Sequence, residues 1–328
     1  SLTVSGDKSI SIRCVLLASQ AIGKSKIYNL LESEDVISTL KSIKKLGIKY
    51  KKFKNFYEIY GYGLNGFNTN KKININAGNS GTFARLILGL LVNSKKKIKL
   101  IGDKSLSKRD FSRVTEPLRM FGANIYSNNK FLPVSIIGSK FLRPIKYFEN
   151  LGSAQCKSAV MFAALKTPGK TKIIAKKSRD HSELLFKNLK IPIKVTKNRN
   201  YDHIEINGLK NFRGFDYKVP GDISSCSFFI VLTLLSYNSK IFLKNININN
   251  TRIGIVKILK KMNASIYFKN KRNYKGELIG DIIVKSTKNL KNINCPENLN
   301  SSAIDEFLVI FLLAAKANGI SSFKKLSE

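Results

Sequence analysis

The sequence predicts an α/β protein of two domains built from repeated modules, and three observations carry that expectation. One pattern returns along the chain: a small polar turn, an apolar run at helical period, a break marked by Gly or Asn with lysines, a short strand, then a second helix. Within each copy the first helix is apolar nearly all round, as in "FFIVLTLL" and "FLVIFLLAA", and the second is amphipathic and lysine-rich, so buried and exposed helices alternate. At 328 residues with 43% hydrophobic content, the chain can fill two cores.

The copies follow one another in order. The first is "SISIRCVLLASQAIGKSKIYNL" from Ser9 with "DVISTLKSIKKLGIKY" behind it, and the second is "NSGTFARLILGLLVNSKKKIKLIG" from Asn79 with "RVTEPLRMFGANIY". "SAQCKSAVMFAALKTPGKTKIIAK" from Ser153 and "DISSCSFFIVLTLLSYNSKIFLKN" from Asp222 open the third and fourth. The breaks fall near Gly23, Ser94, Gly169 and Ser239, a period of roughly 70 to 75 residues, longer than a solenoid repeat and suited to a small α/β module. A fifth copy opens at "SAIDEFLVIFLLAAKANGISSFKKL" from Ser302, breaks near Gly319, and reaches Glu328 before a second helix.

The turn ahead of each buried helix is small and polar: "GDKS", "GNSGT", "GSAQ", "GDISS" and "SSAID". Helix capping explains any one of them, since Ser, Asp and Asn accept from the unpaired first N–H groups. Their repetition, with Lys8, Arg13 and Gln155 added, points instead to helix N-termini gathered around an anion.

Fifty-eight Lys and Arg against 21 Asp and Glu give a net charge of +37. The lysines are scattered in short clusters among Asn and Ile ("KYKKFKN", "SKKKIK", "KNKRNYK"), which is a compositional bias rather than one basic face. A nucleic-acid partner is therefore not expected. Cys14, Cys156, Cys226 and Cys295 are isolated and His181 and His203 stand near none of them, which argues against a zinc site or a disulfide framework and for thiols in a reducing compartment. No window reaches the ~18 apolar residues of a membrane span, and residues 1–20 have no signal-peptide pattern, so a cytoplasmic protein is expected.

"GDKSISIR" resembles the N-terminal Lys-Ser-x-x-x-Arg signature of the enolpyruvyl transferase family, "NAGNSGTFAR" its Asn-Ala-Gly-x-x-Gly-Thr segment, and "DKSLSKRDFSRVTEPL" its arginine segment for the second substrate. "GSAQCKSAVMFAAL", "SRDHSELL", "VPGDISSCSFF" and "IDEF" follow in the family's order, so seven segments are similar to the branch acting on shikimate 3-phosphate. The resemblance implies a two-domain inside-out α/β barrel of βαβαββ units, three to a domain with their buried helices parallel. It sets the domains at 7–220 and at 1–6 plus 221–328, with crossings near residue 6 and at Pro220-Gly221 and the active site in the cleft between them. The implied reaction moves the enolpyruvyl group of phosphoenolpyruvate to the 5-hydroxyl of shikimate 3-phosphate and releases phosphate. The resemblance implies no metal or organic cofactor.

Two phosphates and a carboxylate held close together need several cations and backbone donors. By the same resemblance Lys8 sits between the two substrates and stabilises charge developing between them, while Ser9 and Arg13 grip shikimate 3-phosphate. Arg13 lies four residues beyond Ser9, so in a helix they share a side. Arg109 takes the phosphoenolpyruvate phosphate, for which a planar guanidinium offers paired donors, and Lys108 and Arg113 are surface residues. Asn79, Ser80 and Gly81 form the turn that approaches phosphoenolpyruvate, which makes glyphosate an expected inhibitor. Ser153, Ala154 and Gln155 hold the shikimate phosphate and ring, with Gln155 also reaching phosphoenolpyruvate, and Ser178 and Arg179 add phosphate contacts. Asp305 is the base that takes the 5-hydroxyl proton, with Glu306 pointing elsewhere.

The family pattern continues into a Lys-Glu-Ser/Thr-Asp-Arg segment and later basic residues that do not occur here, so the 328 residues are expected to be a fragment with little activity alone. The sister reaction on UDP-N-acetylglucosamine is the nearest alternative, but its loop cysteine has no counterpart in residues 79–125. A basic nucleic-acid-binding or cyclase protein of related repeat is the other. The enzyme is expected to work as a monomer.

Overall fold

In the computed structural model, which describes residues 1–326, the first three copies become one unit, Lys8–Val219, and the residues before and after that stretch form another. The first copy contributes α1 (Lys8–Gln20), β1 (Ile22–Tyr28), α2 (Glu34–Lys45), β2 (Lys49–Lys52) and β3 (Phe56–Tyr62). The second contributes β4 (Ile73–Asn76), α3 (Gly81–Leu90), β5 (Ile98–Ile101), α4 (Ser112–Met120), β6 (Asn124–Asn128) and β7 (Phe131–Ile137). The third contributes β8 (Lys146–Glu149), α5 (Ala154–Leu165), β9 (Lys170–Lys176), α6 (His181–Asn188), β10 (Ile193–Lys197) and β11 (Tyr201–Asn207), and β12 (Asp216–Lys218) closes the unit.

The three sheets share one topology. The second runs β4-β5-β7-β6 and the third β8-β9-β11-β10, each with its first two strands parallel and the rest antiparallel. The first copy has no strand ahead of α1, and β12 takes that place, pairing parallel to β1 with Lys26 opposite Asp216 to give β12-β1-β3-β2. The chain's return supplies what its start lacks.

The helices divide as their sequences demand. α1, α3 and α5 are buried along almost their whole lengths, whereas α2 buries only the stripe Val36, Thr39, Leu40, Ser42 and Ile43 and leaves its lysines outside. Gly89 lets α3 lie directly on α5, because a Cβ there would stand 2.2 Å from the Ala159 carbonyl oxygen. Helices inside and sheets outside is the expected inside-out layering. Among the described residues, however, every sheet is open, so the expected barrel is realised as separate three- and four-stranded sheets rather than one closed cylinder.

The other unit contains α7 (Ile223–Leu235), β13 (Lys240–Asn247), α8 (Gly254–Lys261), β14 (Ile266–Tyr274), β15 (Glu277–Lys285), α9 (Asn300–Ala303) and α10 (Phe307–Ala314). Its sheet runs β13-β15-β14. The first-strand place beside β13 is filled by short pieces, Leu2 parallel to Leu243 and Gly221 parallel to Ile246. Parallel bridges Lys291–Asn318 and Asn294–Ser322 flank α10 and begin the fifth copy in the same way. Ile230, Leu234, Ile258, Ile282, Ile310 and Leu313 form its core. No described helix is long and apolar enough to cross a membrane, and no described group of His, Cys, Asp and Glu is placed to hold a metal ion.

Candidate active site

In the unit Lys8–Val219, Lys8 and Ser9, Asn79 to Gly81, and Ser153 to Gln155 stand at the N-terminal ends of the three buried helices, whereas Arg109 precedes α4 and Ser178 and Arg179 precede α6. Ser80 caps α3 by accepting from the Phe83 N–H at 3.2 Å, and Ser153 caps α5 by accepting from the Cys156 N–H at 3.3 Å. Glu149 fixes the turn into α5, accepting from the Gly152 N–H at 2.7 Å and the Leu151 N–H at 3.3 Å.

The densest cluster surrounds Gly81. A Cβ there would lie 2.8 Å from Arg85 Nη1 and 3.1 Å from Arg109 Nη1, so two guanidinium groups face one bare stretch of backbone. Arg109 is exposed and donates to Asn79 Oδ1 at 3.4 Å, while Asn79 donates to Asp103 at 2.6 Å. The Leu106 N–H and Asn79 amide hold the Asp103 carboxyl below its ordinary range. Gln155 accepts from Arg85 at 2.9 Å and donates to Thr82 at 3.0 Å, which ties the start of α5 to the start of α3.

Arg85 was not singled out by the sequence reasoning. It donates to the carbonyls of Gly81 and Asp110, each at 3.3 Å, and covers the Phe111 ring at 4.9 Å. Burial lowers its pKa, with Cys156 acting against that and the charge of Arg109 adding to it. The available signal was a lone arginine inside the apolar run "GTFARLILGLL", where a buried cation requires partners.

Lys8 opens α1, half exposed, with Nζ 3.4 Å from Asp35 Oδ2. Ser9 and Arg13 do share a side, since Arg13 Nη1 donates to the Ser9 carbonyl at 3.0 Å. Arg13 is nevertheless only 2% exposed, and it donates to Ser182 Oγ at 2.8 Å and Ser158 Oγ at 3.0 Å, bracing α1 against α6 and α5. Ser178 and Arg179 precede α6 half-buried, and Ser178 Oγ is buried without a hydrogen-bond partner among the described residues. Lys108 is exposed and Arg113 pairs with Glu149 at 3.2 Å.

In the other unit Asp305 lies in the turn Ile304–Glu306 ahead of α10, its side chain 49% exposed and 3.1 Å from Arg252. Glu306 does not point into empty solvent or away from this group: it is buried, accepts from Ser224 Oγ, and lies 3.8 Å from the same guanidinium. Burial works to lower the Arg252 pKa, but Asp7, Asp222, Glu306 and Asp305 outweigh it and raise the value overall.

The family described as EPSP synthase (3-phosphoshikimate 1-carboxyvinyltransferase) matches residues 1–328. The chain belongs to the EPSP synthase family. A 3-phosphoshikimate 1-carboxyvinyltransferase of Ruthia magnifica subsp. Calyptogena magnifica is 44% identical, covering 97% of this chain and 72% of that protein. One of Bacillus cytotoxicus is 38% identical over 100% of this chain and 76% of its own length. The solved EPSP synthase of Acinetobacter baumannii superposes with a TM-score of 0.86 at 36% identity, over 97% of this chain and 71% of that one. The enolpyruvyl transferase NikO of Streptomyces tendae, at 12% identity and a TM-score of 0.76 over 97% of this chain and 73% of its own, shares the fold. Membership of the EPSP synthase family sets aside the UDP-N-acetylglucosamine, nucleic-acid and cyclase alternatives.

Proposed function

We propose that this chain transfers the enolpyruvyl group of phosphoenolpyruvate to the 5-hydroxyl of shikimate 3-phosphate with loss of phosphate. The observation that carries the reading is the cluster at Gly81. Asn79, Arg85, Arg109 and Gln155 converge on backbone with no side chain in the way, at the positive ends of α3 and α5. Arg109, exposed and bidentate by nature, takes the phosphate of phosphoenolpyruvate, and Gln155 carries Arg85 toward the same anion.

Ser153, Ala154, Ser178 and Arg179 receive shikimate 3-phosphate. Ser178 supports this role because its buried hydroxyl has no hydrogen-bond partner among the described residues and a phosphate oxygen would supply one. Ser9 joins them, backed through its carbonyl by Arg13; a direct contact from Arg13 requires it to give up one of its internal bonds. Lys8 exchanges Asp35 for the substrates and stabilises charge that develops between them. Asp305, half exposed, accepts the proton of the 5-hydroxyl.

Glyphosate, an anion that competes for the phosphoenolpyruvate cluster, is an inhibitor in this reading, and millimolar glyphosate without effect on turnover contradicts it. All the proposed groups come from one chain, which fits a monomer, and the buried thiols of Cys14, Cys156, Cys226 and Cys295 fit the cytoplasm. The test is calorimetric titration with shikimate 3-phosphate, alone and then with phosphoenolpyruvate, beside Lys8→Ala. Loss of one charged contact is expected to weaken binding about 10- to 100-fold. Salt-steep binding of nucleic acid with indifference to shikimate 3-phosphate is the contrary result.

A further inference from the structure

The unit built on α7 and α10 holds a buried arginine with more carboxylates around it than its own charge requires. Arg252 Nη1 lies 3.1 Å from Asp305 Oδ2 and 3.8 Å from Glu306 Oε1. Nη2 donates to Ser224 Oγ at 2.6 Å and to Asp222 Oδ1 at 3.4 Å, and Nε is 3.9 Å from Asp7 Oδ2. The side chains of Arg252, Asp7, Asp222 and Glu306 are all at least nine-tenths buried, whereas that of Asp305 is 49% exposed. Three carboxylates therefore fix the guanidinium from inside, and the guanidinium in turn fixes the fourth at the surface.

The anchoring reaches the backbone. Asp7 donates its N–H to the Pro220 carbonyl at 2.9 Å, Asp222 donates its own to the Ser5 carbonyl at 3.0 Å, and Gly6 bridges Gly221 between them. The loop before Arg252 is held as firmly: Arg252 N–H donates to the Asn249 carbonyl at 2.8 Å, and Asn249 and Asn247 donate their amides to the fully buried Glu277 at 3.0 and 3.3 Å. Both ends of the Arg252 side chain are thus set by main-chain bonds as well as by side chains.

We propose that Arg252 is the positioning residue of the enolpyruvyl transfer: it sets the orientation of the Asp305 carboxylate toward the 5-hydroxyl without touching substrate. The proposal rests on the reading of Asp305 as the base. A base gains its effect only within hydrogen-bond reach of its proton, and one free to rotate on the surface spends most of its time elsewhere. The planar fork is what the task requires, because an ammonium at residue 252 keeps the charge but cannot hold Ser224 and Asp305 at opposite ends of one rigid group.

The test is steady-state kinetics with shikimate 3-phosphate and phosphoenolpyruvate, at chain concentrations high enough to read the low activity expected of these 328 residues, for Arg252→Lys, Asp305→Asn and the double variant, with melting followed by circular dichroism. Arg252→Lys is expected to lower kcat about 10- to 100-fold, to move both KM values by less than about threefold, and to keep the melt, and the double variant should be about as slow as Asp305→Asn alone. A slow Asp305→Asn beside an Arg252→Lys of wild-type kcat overturns this proposal alone, as do losses that multiply in the double variant. Asp305→Asn at wild-type kcat removes the base reading and this proposal with it. If Arg252→Lys does not fold, Ser224→Ala, which deletes the 2.6 Å bond and keeps the charge, decides in its place: a kcat reduced about three- to tenfold supports the positioning role, and an unchanged kcat overturns it.

Discussion

Lys166 offers a stability measurement whose sign and size follow from the structure. It follows α5, is 3% exposed, donates to the Leu64 carbonyl, and holds its Nζ 5.4 Å from the centre of the Phe67 ring. Burial alone moves its pKa from 10.5 down to about 7. The folded chain then releases this proton near pH 7 while the unfolded chain keeps it to 10.5, so between those values the unfolded state binds more protons and stability rises with pH. Below pH 7 both states carry the proton and the group adds no slope. The whole difference is on the order of 5 kcal/mol at 1.36 kcal/mol per pH unit, of which about 2 to 3 kcal/mol falls between pH 6 and pH 9. Urea unfolding followed by circular dichroism at pH 6, 7, 8 and 9 reads this directly for the transition of the unit Lys8–Val219, and Lys166→Met, similar in length and uncharged, identifies it. The variant should be the more stable at pH 6 and should lose most of the pH dependence. A wild-type transition that is flat from pH 6 to 9, or a Lys166→Met curve parallel to it, refutes the reasoning.

Three further outcomes follow from close contacts and caps. Gly89→Ala drives a methyl into the Ala159 carbonyl, so α3 and α5 must separate; a loss of about 3 kcal/mol or more in the urea midpoint is expected, and a loss under about 1 kcal/mol contradicts the contact. Gly81→Ala displaces Arg85 and Arg109 together and should weaken phosphoenolpyruvate about tenfold with shikimate 3-phosphate little changed, which a pair of titrations distinguishes. Ser153→Ala removes the α5 cap at a cost of about 1 kcal/mol in stability and should also weaken shikimate 3-phosphate; stability loss with unaltered affinity leaves the serine as a cap only.

The buried helices were legible because a helix apolar on every side has no other place to go, and the turns ahead of them located Gly81, Ser153 and Asp305 in the chain. β12 was not legible. Its three residues carry no periodicity, and it is specified by a vacancy beside β1 far back in the chain, which only the folded topology creates. Helical spacing put Arg13 on the Ser9 side but said nothing of depth, and depth is decided by Ser158 and Ser182 on other helices.

The same reasoning explains why net charge was a poor guide to this protein. An excess of +37 says how many cations there are, and most are surface lysines whose neighbours are water. The cations with consequences are the few that the fold removes from water: Arg13 among serines, Arg85 over Phe111 beside Gln155, Lys157 at 2.6 Å from Glu183, Lys166 on a carbonyl, Arg252 among four carboxylates. Each must be matched by partners, from another copy of the repeat for Arg13 and Arg85 and from the same copy for Lys157, because an unmatched buried charge costs more than a small domain can sustain. A cation in an apolar run is therefore the informative feature of this sequence, and Arg13 and Arg85 show that its partners lie in whichever copy folds against it.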